Sequence, residues 1–245
     1  VKHLKISFLT LVLIALSLTS IHAATDTSKY GELTIPSYGN DKVKAMIKQI
    51  KSGYSQALDT ETSILSTENY NSLTVKEKFT YTMMHGEIVT SEIIIHEGYE
   101  SLGRGKISKD LNFTFPKQFI WSKRQIKFMQ ENREKCLELI QEILAENKFI
   151  GDNIKAAIIL LNAHETIPSL IDHLKNKPVD NNITTTLIQL MYNNKFSPLF
   201  ETTTYKALAL EENSEVIFPS ILSTMEYQQE IINTAQKYYQ SKQKP

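Results

Sequence analysis

The chain has 245 residues, enough for a sizeable core in one domain or two closely packed ones. Its 27 basic and 27 acidic residues cancel, so no basic surplus exists to drive binding to nucleic-acid phosphates or anionic lipid. A single cysteine, Cys136, excludes an intramolecular disulfide, and 8 Gly with 7 Pro favour long helices over many tight turns.

The first segment is VKHLKISFLTLVLIALSLTSIHAA. Lys2 and Lys5 form a basic start, an apolar run follows from Ile6 to Leu18, and Ile21-His22-Ala23 ends in a small residue. That is the three-part layout of a secretory signal peptide, and the run is shorter than the ~20 residues of a spanning helix. A leading Val hints at a bacterial gene with a non-standard start. The expected product is therefore periplasmic or secreted. Removing residues 1–23 takes away two basic residues and no acidic one, leaving a small acidic excess.

Residues 24–40 read as an extended leader, broken by Gly31, Pro36 and Gly39. An N-terminal helical region is expected over 41–110. Asn40 or Asp41 is a candidate cap for its first helix, which carries Val43, Met46, Ile47, Ile50 and Tyr54 at helical spacing. DTETSILSTENYNSL reads as a loop with room for one short helix. Thr74-Val-Lys-Glu77 is a capping box, so helix is expected through Phe79 and Met83.

GEIVTSEIIIHEGYE is ambiguous, because Ile93, Ile94 and Ile95 favour strand, yet its neighbours favour helix; helix is the reading adopted. Residues 98–115 read as a loop, and Gly103-Arg-Gly-Lys106 lacks the spacing of a phosphate loop.

A second, repeat-like helical region is expected over 111–241, with a tail at 242–245. Pro116 opens a helical stretch to about Asn147 that includes Phe119, Ile120, Ile126 and Met129, with Glu131 and Lys135 paired one turn apart. Cys136 lies within it as a small buried hydrophobe. Asp152 caps the next helix, which buries Ile154, Ala157, Ile158 and Leu161. Ile167, Leu170, Ile171 and Leu174 then recur at i, i+3, i+4 and i+7, with Pro168 tolerated in the first turn. His173 falls off that stripe and His164 in the turn before it, so HETIPSLIDHL reads as a helix start rather than a metal site.

The pattern recurs with Ile183, Leu187, Leu190 and Met191 facing inward, then with Pro198 and Pro219 at the heads of further segments, and finally with Tyr227, Ile231, Ala235 and Tyr238 on a last helix. IKAAIILLNAHETIPSLIDHLKNKP resembles a HEAT-type repeat, a helix, a tight turn and an IPxLIxxL helix, over roughly residues 150–225. The resemblance implies antiparallel helix pairs, a partner-binding surface and no catalytic residue. The expected fold is all-α, as a HEAT-like stack or an irregular helical bundle.

Two constellations are candidates for chemistry, set against the plainer readings of a solvated polar helix face for the first and of core aromatics for the second. Glu92, His96 and Glu100 are spaced four apart and share one face of a helix, with His85 just upstream; imidazoles and carboxylates so arranged suit a divalent metal, with Glu97 as a base on bound water. The HExxH pattern is incomplete there. Tyr81, Tyr99, Phe113, Phe115, Phe119 and Trp121 concentrate aromatic surface in the middle third, and Tyr99, Phe113, Phe115 and Trp121 are candidate binding anchors. No GxSxG elbow is present. The leading expectation is an exported, non-catalytic protein-binding scaffold, of inhibitor or immunity type, needing no cofactor. The alternatives are a metal-dependent hydrolase built on His85 and His96 and a structural envelope protein.

Overall fold

A computed structural model of the chain describes residues 33–89, 105–111, 119–146, 149–176, 180–212 and 219–243. It is mostly helical, with two small antiparallel sheets that the all-helical expectation lacks.

After an extended segment at residues 33–37, α1 runs Asn40–Lys48. Its N-cap is Gly39 in the left-handed region, not Asn40 or Asp41, and no side chain caps it. The helix ends before Tyr54, which lies in β1 (Gly53–Ser55); β1 pairs with β2 (Thr60–Thr62) through a short hairpin. The loop-like DTETSILSTENYNSL thus supplies β2 and a one-turn helix, α2 (Thr67–Asn71). Helix α3 (Val75–Met84) begins at the capping box the sequence announces, with Thr74 and Glu77 bonding reciprocally.

The helical reading of the stretch that follows is corrected at its described end. Ile88–Val89 form β3, which pairs with β2 on one side and with β5 (Phe119–Ile120) on the other. Phe119 and Ile120 are accordingly strand, not part of a long helix. That helix starts only at Lys123, after Ser122 and Gln125 form a second capping box, and it breaks at Asn132 into α4 (Lys123–Glu131) and α5 (Arg133–Glu146). The four-stranded order is β1-β2-β3-β5. A second ribbon pairs β4 (Lys106–Ser108) with β6 (Ser220–Leu222), so Pro219 precedes a strand and not a helix. Both pairings join residues from either side of position 110.

The C-terminal half follows its apolar stripes closely. Helix α6 (Asp152–Leu160), a 3-10 turn at His164–Thr166, α7 (Ile167–Asn176), α8 (Asn181–Asn193), α9 (Ser197–Phe200), α10 (Thr203–Glu212) and α11 (Met225–Lys242) succeed one another. All four residues of the α7 stripe are buried, as are Ile154, Ala157 and Ile158 of α6 and Ile183, Leu187, Leu190 and Met191 of α8. Each of the larger side chains among them, Ile, Leu or Met, contributes about 1.5–3 kcal/mol through burial. Helix α8 is central, touching α6, α7, α11 and β4. These helices share one large apolar core; a smaller one under the first sheet is built on Val43, Leu65, Tyr70, Leu73 and Tyr81.

Two local expectations change in this half. His173 is half-buried, its Nε2 2.9 Å from the Leu144 carbonyl oxygen, which lies in the last turn of α5. Glu131 is matched with Lys127, and Lys135 with Glu138, rather than with each other.

Candidate functional site

Trp121 lies between β5 and the Ser122 cap of α4, half-buried. Its indole N–H donates to the Thr82 carbonyl at 2.7 Å, at the end of α3. That bond fixes the orientation of the ring. Beside it a recess of about 210 Å³ is lined by Leu111, Ile120, Trp121, Ile126 and Ala156, every one half-buried. Strand β5 brings Ile120, α4 brings Ile126 and α6 brings Ala156. The volume falls below the ~300 Å³ at which small-molecule sites begin, and suits one or two inserted side chains.

Directly behind Trp121 lies a closed polar cluster. The Glu87 backbone is part of the sheet: its N–H donates to the Ile120 carbonyl at 3.0 Å and its carbonyl accepts from Ser63 N–H at 2.8 Å. This register turns the carboxylate inward, where it is fully buried. Tyr81 donates to it at 2.7 Å, Ser122 at 2.5 Å, and Arg124 through Nε at 2.9 and 3.0 Å and also through Nη2. Arg124 Nη2 also reaches the Leu65 carbonyl at 2.6 Å, and the guanidinium lies 4.3 Å over the Tyr70 ring. Burial raises the Tyr81 phenol, with the Glu87 charge adding to it, and the same burial pushes Tyr70 up to about 12. Both stay protonated, so Tyr81 is held as a donor.

His85 stands at the edge of this cluster. Its Nε2 is 2.6 Å from the Ser63 carbonyl oxygen, so that nitrogen carries the hydrogen and Nδ1 is the one left to accept. The ring sits between Tyr81 and Phe119, and burial lowers its pKa. Of the other proposed metal ligands, Glu92, His96 and Glu100 lie outside the described residues, as do the proposed anchors Tyr99, Phe113 and Phe115. Among the described residues no group of three His, Cys, Asp or Glu side chains is placed to hold a metal.

Sequence reasoning names Trp121 as a candidate anchor and passes over Arg124 and Ser122, which the structure brings to the same cluster. The signal was present: Ser122-Lys-Arg-Gln125 matches the S-x-x-Q capping pattern, which would have started α4 there and placed Arg124 in its first turn.

A second buried charge lies at the start of α6. Lys155 is 1% exposed and bonds Asp152 at 3.0 Å and Asp180 at 2.9 Å, while Asn182 donates to Asp152. Burial alone would depress the Lys155 pKa, but the two aspartates more than offset it and raise it. Asp152 is thus an ion-pair partner and not a helix cap; the N-cap is Gly151. The buried Asp152 contact also leaves Asn182 engaged within the fold.

Across the molecule, an open groove of about 720 Å³ runs between α9 and α11, lined by Ser197, Glu201, Thr202, Glu230, Asn233 and Lys237 among others. Glu230 is committed to the start of α10, accepting from the Thr203 and Thr204 amides at 2.8 and 2.9 Å. No family model, no curated protein and no solved structure matches the chain. No helix among the described residues is long and apolar enough to cross a membrane.

Proposed function

We propose that the protein is an exported, non-catalytic binding scaffold, built on HEAT-like helix pairs, that grips a protein partner through an apolar anchor seated beside Trp121. The observation that carries this reading is the recess itself. A tryptophan pinned by a 2.7 Å hydrogen bond offers its apolar surface to a side-chain-sized hollow at the surface. Preorganised aromatic surface in a small pocket is where interfaces concentrate their affinity. The polar cluster supports the reading in a second way. Tyr81, Ser122 and Arg124 all donate to Glu87 from within the fold, which ties α3 and the start of α4 to the residue before β3, fixes the recess walls and gives the cluster a structural task. Export rests on the signal-like sequence of residues 1–23, and an inhibitor or immunity-type role fits a surface that blocks rather than reacts.

Photo-cross-linking in the native host tests the proposal. A photoreactive residue at position 126 should trap one predominant protein in the exported fraction, and Trp121→Ala should abolish that adduct. The same adducts formed from exposed position 206, on α10, would sink the reading.

A further inference from the structure

The extended segment before α1 is held like a bound peptide. The Thr34 N–H donates to Asn153 Oδ1 at 3.0 Å, and Asn153 Nδ2 donates back to the Thr34 carbonyl at 2.8 Å. One side-chain amide thus reads both backbone groups of a residue 119 positions away, as a neighbouring strand would. The Gly151 N–H adds a bond to the Thr34 hydroxyl at 2.7 Å. Asn153 is fully buried and is itself oriented by a second bond from Nδ2 to the Met83 carbonyl, also 2.8 Å.

The side chains alternate along this segment. Thr34 and Pro36 are buried, while Ile35 is 41% exposed and Ser37 is exposed. Proline suits the second inward position because it has no N–H to leave unsatisfied. Further on, Thr80 donates to the Tyr38 carbonyl at 2.8 Å, and Tyr38 donates to Glu142. The segment then turns at Gly39, whose φ of 63° only glycine adopts freely. Its long-range side-chain contacts among the described residues lie with α3, α5 and the start of α6, while the Asn40 N–H of α1 donates to the Ser37 carbonyl at 3.4 Å and one glycine joins the segment to that helix.

We infer that this slot is an exchangeable peptide-binding site, specific for an extended Thr-x-Pro segment, filled in cis by residues 33–38 and open to the same residues of a second copy. The slot suits that occupant because it is complementary to it position by position. When the segment leaves, Asn153 Oδ1 and the Gly151 N–H lose these partners, and an identical segment from a second copy restores every bond. This is independent of the Trp121 recess.

The experiment uses the full chain and a fluorescently labelled peptide of sequence GELTIPSYG, residues 31–39. Thr34→Val in the chain removes the bond from Gly151 to its own segment, so the peptide should bind that chain about 5- to 10-fold more tightly than the unsubstituted one. A peptide carrying the same Thr→Val change should lose a similar factor on either chain, a control that needs no further variant to fold. At high concentration the unsubstituted chain should form a dimer that the free peptide dissolves. Absence of saturable binding up to about 1 mM peptide, equal binding of the Thr and Val peptides, or a chain that stays monomeric at every concentration would each overturn the proposal.

Discussion

Arg124 and Glu87 meet side-on. Nε lies 3.0 and 2.9 Å from the two carboxylate oxygens, on a buried residue just before β3 whose backbone bonds Ser63 and Ile120 on either side. The pair ties the start of α4 to the middle of the small sheet, and Trp121 stands one residue before the cap of that helix. Removing one charge leaves the other stranded, which costs about 3–5 kcal/mol, whereas replacing both with apolar groups is milder. Arg124→Leu and Glu87→Leu alone should each lower denaturant-derived stability by about that amount, and the double variant by clearly less. Additive losses in the cycle would show that the two residues act separately.

Two capping boxes of the same type should behave differently. Thr74→Ala removes only a cap and should cost about 1 kcal/mol. Ser122→Ala removes a cap and also a hydrogen bond to the buried Glu87 carboxylate, so about 2–3 kcal/mol is expected. Urea unfolding of the two variants side by side makes the comparison, and equal losses would deny Ser122 its second role.

His85 sets an acid limb of the stability profile. Burial lowers its folded pKa below the ordinary 6.5, so the unfolded chain binds the proton more readily. Its contribution is complete above about pH 6.5 and is lost as pH falls from there towards the folded value. Glu77 and Glu230, held low by hydrogen bonds that outweigh their burial, lose theirs only below the 4.5 of a free glutamate. The His85→Gln chain should therefore show a flatter stability curve between pH 6.5 and 5 than the parent, while both fall together below pH 4.5. Parallel curves throughout would contradict this assignment.

The two left-handed glycines differ in their surroundings. A Cβ on Gly39 would stand 2.7 Å from Glu77 Cγ, inside the Thr74 capping box, while one on Gly105 meets nothing within 4 Å. Both Gly→Ala changes are strained by φ of 63° and 75°, at more than about 1 kcal/mol each. Gly39→Ala should exceed Gly105→Ala by roughly a further 1 kcal/mol, the worth of the disturbed cap. Thermal melts would decide the order.

Cys136 is fully buried in the core, and burial pushes its thiol up to about 12. The native protein should resist thiol reagents at neutral pH and react only in denaturant. Rapid labelling of the folded chain would place that side chain at the surface.

The sequence by itself determined the helical stripes of α6, α7, α8 and α11 and the Thr74 cap. These depend on contacts within three or four residues, so Ile167, Leu170, Ile171 and Leu174 declare their face without help from the rest of the chain. Only the tertiary structure decided the strands. Ile88 is strand because Ile120 lies beside it, and Ile107 because Ile221 does; pairings so distant, between segments of two or three residues, leave no periodicity to read. The same holds for Glu87, Asn153 and Lys155. Their letters suggest solvent-facing polar positions, and what draws them inside is the partner each meets from a remote part of the chain: Arg124, Thr34 and Asp180.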